Sequence, residues 1–155
     1  MIRDDLKAAL TGAMKAGDKA RTGTLRLVQS ALKNRDIELR GGASGAAAPA
    51  DDDALVTEVL QKMVKQRRES IDMYEKGGRD ELARAEAAEV AVIEEFLPRQ
   101  MSDEEIAAAI EAALAETGAS SPKDMGPVMA LMKDRHAGRL DMGKASRMAK
   151  ARLAT

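Results

Sequence analysis

The chain has 155 residues, 45% of them apolar, with a single Tyr, a single Phe, no Trp, no Cys and a formal net charge of −1. Without Cys there is no disulfide framework, no thiolate nucleophile and no Cys-ligated zinc or iron–sulfur site, and a reducing compartment is expected. Sheets draw on aromatic and β-branched residues, whereas Ala, Leu, Met, Glu, Lys and Arg favour helix, so the composition predicts an all-α protein.

In chain order, Ile2, Leu6, Ala9, Leu10, Ala13 and Met14 recur at spacings of three and four, which predicts a first helix with one buried face ending near Gly17. Asp18 is placed to cap a second helix whose stripe is Leu25, Val28, Leu32 and, after a slip, Ile37, running to about Arg40. Residues 41–50, GGASGAAAPA, carry no charge and no periodicity and read as a flexible linker. Asp51 to Asp53 follow as a solvated acidic cluster at the start of a third helix, a more natural reading than a metal site. That helix carries Val56, Leu60, Met63, Val64, Arg67, Ile71 and Tyr74 and stops at Gly77-Gly78.

Asp80 is expected to cap a fourth helix with Leu82, Ala85, Glu86, Glu89, Val90, Ile93 and Leu97 inward, closed by Pro98. Glu86 and Glu89 share the face opposite Arg67, an arrangement that suits an interhelical ion pair better than a catalytic or metal site. Ser102 and Glu105 form a capping-box pattern before Ile106, Ile110, Ala113 and Leu114, and Gly118 ends that fifth helix. Ser120-Ser121-Pro122 starts a sixth, with Met125, Val128, Met129 and Met132 inward and a stop by Gly138. Asp141 caps the last helix, where Met148 and Leu153 face inward and Leu140 is placed as a hydrophobic staple. The expected architecture is therefore an N-terminal four-helix module over 1–98 and a C-terminal three-helix bundle over 99–155.

Charge divides unevenly along this chain. Residues 1–79 carry a net +3, residues 80–119 a net −9 and residues 120–155 a net +5. The basic end is the best physical lead to function: Lys133, Arg135, Arg139, Lys144, Arg147, Lys150 and Arg152 could track a phosphate backbone, or could merely complement the dipole of the last helix. With Tyr74 and Phe96 the only aromatics, such a contact would read shape and charge rather than stacked bases. His136, among these cations, reads as a helix C-terminal residue, with a nucleic-acid or proton-transfer role as the alternative. Met125, Met129, Met132, Met142 and Met148 concentrate in the last two helices, which suits either a small aromatic-poor core or a groove for a protein partner.

No catalytic constellation is evident. A Walker-type phosphate loop is absent, and Ser70, Ser102, Ser120, Ser121 and Ser146 are accounted for as caps or helix-surface groups. Neither a catalytic nor a metal residue is assigned, and no cofactor is expected. The N-terminal MIRDDLKAAL lacks the apolar stretch of a signal peptide and no apolar run approaches ~20 residues, so a cytoplasmic protein without membrane attachment is expected.

Several strings resemble the GatB/YqeY family: Lys65-Gln66-Arg67-Arg68-Glu69-Ser70-Ile71, then Tyr74 through Gly77-Gly78-Arg79-Asp80-Glu81-Leu82, and Phe96-Leu97-Pro98-Arg99-Gln100-Met101. Gly118 through Ser121, Lys123-Asp124-Met125-Gly126 with Val128-Met129, and Gly138, Arg139 and Asp141 continue the pattern. The likeness is to free-standing YqeY-like proteins, which resemble the tail domain of the B subunit of tRNA-dependent amidotransferase. It implies a helical accessory domain, tRNA or a protein of the translation or amidotransferase machinery as partner, and a family association with carbon–nitrogen ligase activity using glutamine as amido donor. The expected function is tRNA binding without catalysis by the chain alone, through Lys133, Arg135, Arg139, Lys144, Arg147 and Lys150, with a protein–protein interaction module as the alternative.

Overall fold

The structure, a computed structural model, describes residues 1–41 and 51–154. Among these the chain is all-α: α1 (Ile2–Ala16), α2 (Lys19–Arg40), α3 (Asp52–Lys76), α4 (Asp80–Glu94), α5 (Asp103–Thr117), α6 (Met125–His136) and α7 (Met142–Leu153), with a 3₁₀ turn at Pro122–Asp124. They fall into two compact units, Met1–Leu97 and Pro98–Thr155. The linker expected over 41–50 lies outside the described residues except for Gly41, which caps α2.

In the first unit α1 and α2 form a hairpin through two residues. Gly17 takes the left-handed conformation (φ 71°), which lets the Asp18 amide donate back to Ala13 O at 3.0 Å. The Asp18 carboxylate then accepts from Arg21 N and starts α2. A second hairpin joins α3 and α4 in the same way: Gly78 (φ 73°) lets the Arg79 amide donate to Tyr74 O at 2.8 Å. Because that turn delivers Arg79 to the capping position, Asp80 is the first helical residue and makes no cap, contrary to the sequence expectation. The four helices close over Leu6, Leu25, Val28, Leu32, Val56, Leu60, Val90 and Ile93.

Three further expectations are corrected. Met14 of α1 is exposed, and so is Ile37, since half-buried Arg35, Asp36 and Leu39 take the inward positions at the end of α2. Ala85 is exposed, and Ala83 is the buried alanine of α4. α4 ends at Glu94, four residues before Pro98, so the proline follows a turn rather than closing the helix itself.

The acidic cluster at the start of α3 is not simply solvated. Asp51 caps α3 through Ala54 N, Asp53 accepts from Ile2 N at 3.0 Å, and Asp52 accepts from the Arg3 guanidinium at 2.9 Å. Arg3 also binds Asp36 of α2 at 3.1 Å, so one guanidinium ties three helices together. α1 has no side-chain cap of its own, and Asp53 supplies an acceptor from another helix. Arg67 likewise reaches across to Glu89 of α4 at 2.8 Å, the interhelical ion pair expected there.

The second unit is a three-helix bundle around Ile106, Ile110, Val128, Met132, Leu140, Ala145, Ala149 and Leu153. The capping box is present in full: Glu105 N donates to Ser102 Oγ, and Ser102 N donates to Glu105. That second bond holds the Glu105 carboxyl below its ordinary range. Asp124 turns back to accept from Ser120 N and Ser121 N, which lowers its carboxyl too and closes the 3₁₀ turn before α6.

The Arg3 clamp makes stability depend on pH. The Arg3 hydrogen bond holds the Asp52 carboxyl below its ordinary range, against a smaller opposing effect of burial. A depressed native pKa contributes stability above the unfolded value of about 3.9 and loses it as pH falls through the native one. The Asp52 side chain is 39% exposed, so screening keeps the contribution to about 1 kcal/mol or less. Urea unfolding should therefore find Asp52→Asn less stable than wild type at pH 7, with the difference shrinking as pH falls below about 3.9.

Candidate nucleic-acid interface

α6 and α7 bring the basic C-terminal residues onto one small bundle, and α5 brings acids against them. Lys144 meets Asp103 (Nζ to Oδ1, 2.5 Å), Arg152 meets Glu111 (Nε to Oε1, 2.5 Å) and Arg135 meets Glu116 (Nη2 to Oε1, 2.7 Å). The Arg135 contact lowers the Glu116 carboxyl and raises the guanidinium. α5 has five acids and no Lys or Arg, so the acidic middle of the chain and its basic end neutralise one another inside this unit. These α5 partners are the residues that sequence reasoning missed, although the opposed regional charges were their signal.

Arg139 is engaged differently. Its Nε donates to Arg99 O at 3.0 Å and its carbonyl accepts from Met101 N at 2.9 Å, while Gln100 Nε2 donates to Pro98 O and Gly138 O at 2.9 Å each. Two strings almost forty residues apart, Pro98-Arg99-Gln100-Met101 and Gly138-Arg139, are thus knitted into one latch. His136 is the last residue of α6, and its carbonyl accepts from both Arg139 N and Leu140 N, so it belongs to the same turn.

Lys133, Arg147 and Lys150 remain exposed and have no ion-pair partner among the described residues. Around α7, at about 100° per residue, Arg152, Lys144, Arg147 and Lys150 spread over about 200° of the circumference. Arg152 and Lys144 therefore lean toward α5, while Arg147 and Lys150 look away from it. The sequence offered Lys144, Arg147, Lys150 and Arg152 together as one basic set; the structure divides them by partner. Met132 is core, Met125, Met129 and Met148 are half-buried against that core, and Met142 alone of the five is 37% exposed. No group of three His, Asp or Glu among the described residues could hold a metal ion. No described helix is long and apolar enough to cross a membrane.

An all-α protein whose second unit opposes an acidic helix to two basic ones is the class that fold and surface define. The chain belongs to the YqeY-like protein family, whose model matches residues 3–153. It is 37% identical over 113 residues to "Altered inheritance of mitochondria protein 41, mitochondrial" of Eremothecium gossypii, covering 72% of this chain and 58% of that protein. The proteins of the same name from Kluyveromyces lactis and Lachancea thermotolerans are 32% and 30% identical over 120 residues, each alignment covering 76% of this chain and 60% of the relative. The chain thus spans about three-fifths of the length of these relatives.

The latch has a measurable consequence. Gln100→Ala removes the donor to the Pro98 and Gly138 carbonyls and should lower the stability of the second unit by about 1 to 2 kcal/mol, read as an earlier thermal transition. The unit should still fold, because its apolar core is untouched.

Proposed function

We propose that this chain is a helical RNA-docking accessory protein, related to the tail domain of tRNA-dependent amidotransferases, that binds tRNA and does no amide chemistry alone. The observation that carries the reading is the set Lys133, Arg147 and Lys150, exposed and without carboxylate partners among the described residues, in a unit whose other cations are largely engaged. Exposed cations free of acids gain most from releasing the counterions of a phosphate backbone. Arg135, Arg139 and Lys144 stand second in the proposal: each would exchange a present hydrogen bond or ion pair for a phosphate oxygen. The relatives are named as mitochondrial proteins, and the compartment in this reading is a soluble interior one, cytoplasm or organelle.

The test is binding of the purified protein to total tRNA over a salt series. Each phosphate contact adds about 0.7 to 0.9 to the slope of log affinity against log salt. The variant Lys133→Gln/Arg147→Gln/Lys150→Gln should therefore bind more weakly with a slope shallower by about 2 to 3. An unchanged slope removes these residues from the interface.

A second reading is favoured by the half-exposed Met125, Met129 and Met148 beside exposed Met142, which present adaptable apolar surface to a protein partner of the translation or amidotransferase machinery. The carbon–nitrogen ligase association of the family separates from both readings by assay. Purified chain supplied with ATP, glutamine and misacylated tRNA should form no amidated tRNA, and reproducible product without another subunit would restore that activity to the chain.

A further inference from the structure

A long row of exposed cations lies on α2 of the first unit. Lys19, Arg26, Lys33 and Arg40 stand seven residues apart along α2, and all four are exposed with no ion pair among the described residues. A seven-residue step drifts only about 20° around an α-helix, so three steps keep all four within about 60°. At 1.5 Å per residue they form a row about 31 Å long with a charge every 10.5 Å or so.

Local structure accounts for Arg40, which lies in the last turn of α2 where the dipole favours a cation, but not for the rest of the row. Lys19 sits in the first turn of α2, where the helix dipole disfavours a cation, and that turn has no acid. Only one acid, Asp36, stands three or four residues from any of the four, and Arg3 binds it. Glu38 of the same helix belongs to Arg35. Residues 42–50, which follow the row, contain no acid to neutralise it. Gly23, Leu27, Ser30, Asn34 and Ile37 share the exposed side with these cations.

The apolar part of that side is small. Leu27 and Ile37 are 48% and 55% exposed but ten residues, about 15 Å, apart, with Ser30 and Asn34 between them. A membrane-surface helix needs a continuous apolar face, and a helix laid in a protein groove needs anchors at every three to four residues. Neither is built here, whereas a straight row of cations with small polar residues beside it complements a phosphodiester backbone.

We infer that Lys19, Arg26, Lys33 and Arg40 form a second RNA-docking surface that binds a tRNA phosphate backbone. The inference rests on the tRNA reading above but on different residues in a different unit. It adds sequence-independent affinity: four phosphate contacts contribute a slope of about 3 in log affinity against log salt.

The experiment compares tRNA binding by wild type, by Lys19→Gln/Arg26→Gln/Lys33→Gln/Arg40→Gln and by the α6–α7 triple variant of the preceding section. Circular dichroism and the melting temperature verify the fold, and Arg26→Gln/Lys33→Gln replaces the quadruple variant should it melt early. The expected result is a loss of tenfold or more at low salt with a slope shallower by about 3, or about half that for the double variant, and binding kept in Arg26→Lys/Arg40→Lys. If this loss occurs while the α6–α7 triple variant binds normally, the α2 surface stands and the C-terminal one fails. If the triple variant loses binding and the α2 variants do not, the α2 surface is overturned and the C-terminal reading stands. An absence of tRNA binding by wild type, with capture by phosphatidylserine vesicles that the α2 variant loses, overturns RNA as the occupant of this face.

Discussion

With one Phe and one Tyr in 155 residues, the protein has to hold its helices together through aliphatic side chains of modest size. Leu, Val, Ile and Ala present few directional features, so a core built from them tolerates sliding of one helix along another. Cross-helix hydrogen bonds supply the missing register. Arg3 locks α1 to α2 and α3, Arg67 locks α3 to α4, and Gln100 locks the start of the second unit to the turn after α6. Each is partly exposed, so its contribution to stability is small beside burial of Leu60 or Ile106, about 1.5 to 3 kcal/mol apiece. Their effect is on which packing is chosen rather than on how strongly the core holds.

Apart from Lys65 to Ile71, which lies within α3, the strings that carried the family resemblance prove to be turns and latches. Tyr74 through Asp80 builds the glycine turn between α3 and α4, and Gly118 through Asp124 builds the capped entry to α6. Pro98 through Met101 meets Gly138 and Arg139. In these strings the residues that carry the resemblance set a backbone geometry.

In the function proposed, by contrast, what matters is how charge is distributed over surfaces. α5 faces its acids toward α6 and α7, and ion pairs there remove three cations from the pool available to a polyanion. α2 has the opposite character: its two acids are held by arginines, and its row of exposed cations is left open. In the proposed function, RNA docking selects the cations that the fold leaves without acids, so counting Lys and Arg along the chain overstates one surface and overlooks the other.

The helical class, the Asp18, Ser102 and Asp141 caps, the glycine stops and most inward positions were legible in the sequence because each depends on contacts within one turn of chain. The exceptions are instructive. Ile37 and Ala85 fit the apolar stripes yet are exposed: at the end of α2 Arg35, Asp36 and Leu39 turn inward instead, and in α4 the buried alanine is Ala83. Asp80 resembles a cap, but the glycine turn ahead of it had already set the capping position at Arg79. Tertiary structure alone decided which carboxylate meets which cation: Asp52 with Arg3, Asp103 with Lys144, Glu111 with Arg152. Such pairs join residues tens of positions apart, and an ion pair is governed by distance in space, for which the order of residues along the chain supplies no measure.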